Sequence, residues 1–149
     1  MYQLPLYRLR EQAPLLLAAL WWGSLTTIGF LVVPMLFAYL PTLAQAGGMA
    51  AKIFTAQTWI TVLCGVLLLL LSRGREGDTK PTPLSHAVLA LLAGLLFALL
   101  QEFVVAPRIM MRENLALWHR LGSGMYFVQW VCATWTLWTL GSTGASAKD

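Results

Sequence analysis

Long apolar stretches, separated by short polar segments, dominate the pattern of residues along this chain. Four of these stretches contain no charged residue. They cover residues 12–51, 53–72, 81–101 and 121–147. A helix of about 20 apolar residues crosses the hydrocarbon core of a bilayer, and a backbone in lipid must satisfy its own hydrogen bonds. The pattern therefore predicts an all-α fold, a four-helix transmembrane bundle.

Each stretch predicts one membrane-spanning helix within a single integral membrane domain over residues 1–149. Pro34 and Pro107 are expected to break the first and third helices, because proline lacks a backbone N–H group. Residues 108–120 are expected to form either an amphipathic surface helix or an extension of a neighbouring span. The tail at residues 141–149 is small and polar, so we expect it to fray. The predicted spans are residues 14–38, 52–71, 84–105 and 121–140.

A short pattern that ends in proline occurs twice along the chain. Phe30-Leu31-Val32-Val33-Pro34 precedes the predicted end of the first span, and Phe103-Val104-Val105-Ala106-Pro107 ends the third. An internal repeat of this kind predicts two tandem helical hairpins, related by an axis along the membrane normal. Short matches are frequent in apolar sequence, so a chance similarity is the alternative.

Composition and charge agree with a membrane protein. The chain has 149 residues, of which 58% are hydrophobic and 11% are charged, whereas a soluble domain has roughly a quarter charged residues. The formal net charge is +4, but the basic residues flank the spans, where they contact lipid headgroups and set topology. The expected partner is therefore the lipid bilayer, and nucleic acid is not expected.

The distribution of basic residues predicts the orientation in the membrane. Cytoplasmic ends of spans usually carry more Lys and Arg than the opposite ends. Six basic residues lie on the side of the two termini and four on the other side. We therefore expect a multi-pass protein of the bacterial inner membrane with both termini in the cytoplasm. The six are Arg8, Arg10, Arg73, Arg75, Lys80 and Lys148.

Polar residues concentrate at the opposite, outer end of the predicted bundle, and they form the candidate site. Glu102 is central, because a carboxylate at membrane depth is unfavourable and usually faces a partner. We expect it to point into the bundle and to pair with a basic side chain. One hypothesis is a proton or cation site in which Glu102 and His119 exchange charge, and the other is a structural ion pair. The candidate residues are Lys52, Glu102, Arg108, His119 and Arg120.

Methionines near the same end are weak candidates for a metal site. Thioether and imidazole ligands suit copper(I), but methionine is also an ordinary filler of apolar bundles. His86 and His119 are expected near opposite membrane faces, roughly 30 Å apart, so they cannot ligate one haem within a protomer. We predict no resident cofactor, and we find no catalytic set that would make the chain an enzyme. The weak candidates are Met35, Met110, Met111, His119 and Met125.

Several short motifs resemble those of the bacterial family called domain of unknown function 4149, which is related to the eukaryotic transmembrane protein 205. The resemblance covers about residues 15–140 and implies a four-helix integral membrane protein without an established biochemical activity. The eukaryotic relatives are associated with platinum-drug resistance, which implies metal or drug handling. The chain also has a distant likeness to copper-resistance D-type proteins, but it lacks their additional histidines. The motifs are Trp22-Gly23, Phe30 with Pro34 and Phe37, Ala46-Gly47, Ala51 with Phe54, Pro107-Arg108, and His119 with Leu121 and Ser123.

Three classes of function follow from the sequence. The first is a transport- or resistance-associated membrane protein with a polar outer-face site. The second is a redox protein that binds copper or haem. The third is a non-catalytic membrane assembly subunit, either a homo-oligomer or bound to a partner protein. The sequence favours the first class but does not identify a substrate.

Overall fold

The computed structural model describes residues 3–72 and 83–146, which are helical apart from two short connections. Two π-helical turns interrupt the α-helices: Ile28–Val32 joins α1 to α2, and Gln101–Val105 joins α4 to α5. The α-helices are α1 (Gln3–Thr27), α2 (Val33–Tyr39), α3 (Leu43–Ser72), α4 (Pro83–Leu100), α5 (Ala106–Met110) and α6 (Leu115–Ser146).

These helices form four rods in an all-α bundle, which confirms the predicted fold class. The first rod comprises residues 3–39, the second 43–72, the third 83–110 and the fourth 115–146. The first rod packs against the second and the fourth, and the third rod packs against the same two neighbours. Contacts between the rods show that successive rods are antiparallel, so both π-helical turns lie towards one end of the bundle. We call this end the π-turn end.

Three segments are long and apolar enough to cross a membrane, namely Gln12–Tyr39, Leu43–Ser72 and His86–Met110. This finding supports the assignment as a membrane protein. The fourth rod has 32 residues but is not one of these three segments. Its many threonine, glycine and serine residues lower its hydropathy relative to the other rods.

Pro34 and Pro107 do not end their helices, which corrects the predicted boundaries. Each proline follows a π-helical turn and lies in the first turn of the next α-helix. A proline in a regular α-helix leaves the carbonyl four residues earlier without its donor and collides with it. In the wider turn the Val33 and Ala106 N–H groups donate to the carbonyls of Ile28 and Gln101, five residues back. The third rod therefore continues to Met110, five residues beyond its predicted end.

Other boundaries differ from the predictions for a related reason. The second rod begins at Leu43, nine residues before the predicted start at Lys52, because Ala44–Ala51 continue its helix. Residues 106–110 extend the third rod, and 115–120 extend the fourth, so the alternative of a separate surface helix at 108–120 is wrong. α6 continues through the first part of the predicted tail and ends at Ser146, so the expected fraying from residue 141 stays a prediction. Four of the six basic residues used to predict orientation lie outside the described ranges.

The two π-helical turns support the predicted pair of tandem hairpins. Ile28 and Gln101, which begin the two turns, are 73 positions apart, the spacing of Pro34 and Pro107. The starts of α3 and α6, at Leu43 and Leu115, keep this spacing to within one residue. The chain thus repeats one unit, a rod with a π-helical turn followed by an uninterrupted rod.

Trp21 fills the centre of the bundle. Its side chain is 0% exposed, and its indole N–H donates to Thr61 Oγ1 across the rods at 3.2 Å. The far edge of the ring lies where a side chain on Gly94 would project, because a Cβ there would come within 2.7 Å of the indole. The same Cβ would lie 3.4 Å from Cys132 Cβ. The indole thus contacts the second and third rods, beside the fourth.

Indole and hydroxyl groups also join the first rod to the fourth. The Trp22 indole N–H donates to Thr134 Oγ1 at 3.0 Å, and the Trp130 indole N–H donates to Thr26 Oγ1 at 2.9 Å. Each threonine hydroxyl in turn donates to the carbonyl of the tryptophan on its own helix. The Tyr126 hydroxyl donates to Leu25 O at 2.8 Å, just before the first π-helical turn. These bonds hold the two rods in a single register.

Replacement of Gly94 by alanine should destabilise the bundle. The added methyl group would overlap a fully buried indole, and overpacking typically costs about 1–3 kcal/mol. Equilibrium unfolding in mixed micelles measures the change. Gly124→Ala is the matched control, because a Cβ there meets nothing within 4 Å and alanine favours the helix by up to about 1 kcal/mol. Equal stability of the two variants would contradict the central position of Trp21.

Candidate functional site

Polar side chains from all four rods occur near the π-turn end, inside the bundle. The first rod contributes Ser24, and the second contributes residues that bond to the first and the third rods. The third contributes the two residues that begin its π-helical turn, one of which bonds to the fourth rod. We call this set the polar layer. Its members are Ser24, Thr55, Gln57, Gln101, Glu102 and Gln129.

Glu102 lies within the second π-helical turn and is half-buried. Thr55 Oγ1 is its hydrogen-bond donor, at 2.9 Å from Oε1 and 3.2 Å from Oε2. Among the residues that the structure describes, no basic nitrogen lies within the 4.0 Å of a salt bridge to this carboxylate. A single hydroxyl leaves most of its acceptor capacity unused, because an ionised carboxylate has about four lone-pair sites.

The ion pair predicted for Glu102 is therefore wrong for the described basic residues. Arg108 donates from Nη1 to Val104 O at 2.8 Å and lies over the Trp118 ring, with Cζ 4.7 Å from the centroid. These contacts take the guanidinium away from the carboxylate. Lys52, His119 and Arg120 are exposed on the outside of their rods. Whether these residues form a binding site together with Glu102 stays a prediction.

Backbone carbonyls beside the π-helical turns accept hydrogen bonds from side chains, because lipid offers no donor there. In the third rod the donor is Arg108, bonded to Val104 O. In the first rod the corresponding donor is the neutral phenol of Tyr126, bonded to Leu25 O. A glycine is required beside it, since a Cβ on Gly29 would overlap the Tyr126 ring.

Glu102 is the only member of the polar layer among the candidate residues predicted from the sequence, and Thr55 and Gln129 show why others were missed. Gln129 is 3% exposed, and its Nε2 donates to Gln101 Oε1 at 2.9 Å. A signal was present for Gln129, because it is the only amide side chain in the uncharged stretch 121–147. Thr55 had no such signal, since threonine is frequent throughout the spans.

Gln57 joins the first rod to the second. Its Nε2 donates to Ser24 Oγ at 3.0 Å and to Thr61 Oγ1 at 3.3 Å. Thr61 also accepts the Trp21 indole N–H, so the two residue pairs form one network. The other end of the amide, Oε1, is buried without a hydrogen-bond partner in the described structure. Gln57 itself is only 2% exposed.

The candidate metal ligands do not converge around a cavity. Met35, Met110 and Met111 are exposed, and Met125 is half-buried. The residues that the structure describes contain no group of three or more His, Cys, Asp or Glu side chains that could hold a metal ion. His86 lies near the start of the third rod and His119 near the start of the fourth, at opposite ends of antiparallel neighbours. Cys64 and Cys132 are free thiols within the bundle.

Comparison with known proteins gives a family but no activity. A family described as "Domain of unknown function (DUF4149)" matches residues 16–116. This region covers the first rod from Leu16 onward, the second and third rods with both π-helical turns, and the start of α6. No curated protein matches the chain, and no solved structure matches it.

The bond between Thr55 and Glu102 should be measurable as a coupling energy. Thr55→Val removes the donor while it preserves the shape of the side chain, and hydrogen bonds to charged groups contribute about 1.5–3 kcal/mol. Thr55→Val and Glu102→Leu form a double-mutant cycle, measured by equilibrium unfolding. We expect a coupling energy of this size between the two residues. Thr58→Val is the matched control, because its hydroxyl donates to Phe54 O of its own helix. Additive effects of the Thr55 and Glu102 changes would contradict the contact.

Proposed function

Because the chain belongs to the DUF4149 family, whose description assigns no activity, we propose a function from its geometry. We propose that the protein binds a small cation at Glu102 and conducts it through the polar layer, with the proton as the simplest case. This places it in the transport-associated class.

The observation that carries the proposal is a carboxylate at membrane depth without a described cationic partner. Glu102 lies eight residues before Met110, the end of the third candidate span, which is about 12 Å along a helix. A charge at such depth is unfavourable and usually marks an ion or proton pathway. A carboxylate there is stabilised by protonation or by a bound cation. Exchange between these two states is the elementary step of cation transport.

The backbone around Glu102 also favours a functional role. π-helical turns occur frequently at functional sites, and interrupted helices line the binding sites of many transporters. Both rods that carry such a turn contribute to the polar layer or border it. The turns leave the α-helical ladder incomplete, so the π-turn half of each rod can change shape more readily than a regular helix.

We further propose that all four rods cross the membrane as one domain. The fourth rod has no charge between positions 121 and 147, and 32 residues extend about 48 Å, more than the ~30 Å hydrocarbon core. Four crossings place both termini on one side, and the basic residues favour the cytoplasm of a bacterial cell. The π-turn end then faces outward. A relation of the family to transmembrane protein 205, which the motifs lead us to expect, would agree with the broader class of resistance-associated membrane proteins.

A second candidate function is that of an assembly subunit, and the fourth rod favours it. Trp135 and Trp138 are 54% and 75% exposed. They border a shallow surface groove of about 240 Å³, together with Trp130, Val131 and Thr134. Indole rings on a membrane surface contact either lipid or another protein. This candidate requires a partner and assigns no task to Glu102, so changes at Glu102 separate the two functions.

Glu102→Gln should abolish cation movement while the protein stays folded. The glutamine oxygen can still accept from Thr55, but the side chain no longer ionises. The purified protein is reconstituted into liposomes that contain a pH-sensitive dye, and a potassium diffusion potential drives proton entry. Wild type should acidify the lumen faster than empty liposomes, and Glu102→Gln should not.

Glu113→Gln serves as the control for that experiment. It removes an exposed carboxylate from the connection between the third and fourth rods, outside the polar layer. We expect it to behave as wild type. Replacement of sodium by potassium or by an organic cation shows whether a metal ion moves with or instead of the proton. Equal flux in wild type, Glu102→Gln and empty liposomes would contradict the proposed function.

A further inference from the structure

The free end of the Gln57 amide is the strongest unassigned feature of the interior. One end donates to Ser24 and Thr61, whereas Oε1 has no partner in the described structure although the residue is 2% exposed. Rotation of the amide by half a turn would exchange oxygen and nitrogen. Thr61 or Ser24 would then face the oxygen, and the NH₂ group would be without a partner. In either orientation one end of this buried amide requires a ligand.

We propose that this end of Gln57 binds a single buried water molecule at the inner edge of the polar layer. A buried polar group without a partner is unfavourable, and proteins satisfy such groups with ordered water. A metal cation fits less well, because the Ser24 and Thr61 oxygens already accept hydrogen bonds from the amide. One amide oxygen is far from the several oxygen ligands that such ions need.

We infer that the indole of Trp21 forms the floor of the water site, because its N–H donates to the same Thr61 hydroxyl as the Gln57 amide. The pair Trp21–Thr61 lies about one helical turn farther from the π-turn end than the pair Ser24–Gln57, as their sequence positions require. The indole bonds to Thr61 and lies against Gly94, and the core cluster beyond it is mostly apolar. We infer that hydration of the polar layer reaches Gln57 and stops at Trp21. The residues beyond the indole include Ala18, Cys64, Leu68, Leu91 and Ala133.

The water site at Gln57 stands on its own geometry, but its role in transport rests on the proposed function. A cation that exchanges at Glu102 needs polar surroundings in which to shed or gain its hydration shell. A bound water two positions along α3 from Thr55 extends the polar layer towards the bundle centre. Trp21 then closes the other half of the bundle, so movement of a cation beyond the layer requires displacement of the indole.

Radiolytic labelling tests the water site directly. A short X-ray pulse converts bound water into hydroxyl radicals, which oxidise adjacent side chains that mass spectrometry then identifies. In protein held in lipid nanodiscs, Trp21 should be oxidised although it is 0% exposed. Cys64 is buried to the same degree, at 1% exposed, and thiols react readily. It should nevertheless stay unoxidised, because no water is bound beside it. Absence of Trp21 oxidation in the wild-type protein would overturn the proposal, whatever the behaviour of any variant.

Two substitutions sharpen the result. Gln57→Leu should eliminate the oxidation of Trp21, because it removes the group that holds the water. Gln45→Leu, which changes an exposed glutamine of the same helix outside the polar layer, should leave it unchanged. Trp21 oxidation that persists in a folded Gln57→Leu protein would overturn the proposal. Trp21 oxidation that changes when sodium chloride is replaced by N-methylglucamine chloride would also overturn the proposal, because the ligand would then be a metal cation.

The same measurement on Glu102→Gln separates this inference from the proposed function. Trp21 should remain oxidised in that variant, since Glu102 bonds to Thr55 and makes no described contact with Gln57. Retained oxidation together with unchanged proton flux would refute the role of Glu102 but support the water site. Loss of oxidation in Glu102→Gln would contradict a water site that is held by Gln57.

Discussion

In hydrocarbon, a hydrogen-bonding group has only the protein itself as a partner, and this constraint connects the main features of the bundle. Each proline removes one donor from its rod, and a wider turn with bonds five residues back accommodates the loss. The phenol of Tyr126 and the guanidinium of Arg108 each satisfy a carbonyl beside one of these turns. The indoles of Trp21, Trp22 and Trp130 bond to threonine hydroxyls on other rods.

Those parts of the fold that follow from hydropathy could be predicted from the sequence. Uncharged stretches of sufficient length predicted four helices, and the recurring Phe-to-Pro pattern predicted two similar hairpins. Helix ends were predicted less well, because proline was treated as a helix terminator. The choice between a break and a π-helical turn depends on tertiary partners, such as Tyr126 against Gly29, which lie far apart in the sequence.

The residues around Glu102 differ from those that the sequence indicated, although the location of a site there stays a prediction. Glu102 stood out, because it is the only charged residue between Lys80 and Arg108. The sequence indicated a cationic partner, since several basic residues occur near it along the predicted bundle. Arg108 instead satisfies a backbone carbonyl on its own helix, and a threonine faces the carboxylate. The partner of the carboxylate depends on which face of each helix a side chain occupies. A π-helical turn changes the face on which the residues after it lie.

We propose that the bundle has two halves, which meet at Trp21. The half at the π-turn end is polar and deformable, and the other half is closed and mostly apolar. Hydrogen–deuterium exchange of backbone amides in lipid nanodiscs tests it directly, because exchange requires both local opening and access of water. Amides at residues 28–33 and 101–106 should exchange faster than those at residues 17–25 and 88–98 of the same rods. Uniform protection along both rods, or faster exchange in the half below Trp21, would contradict the claim.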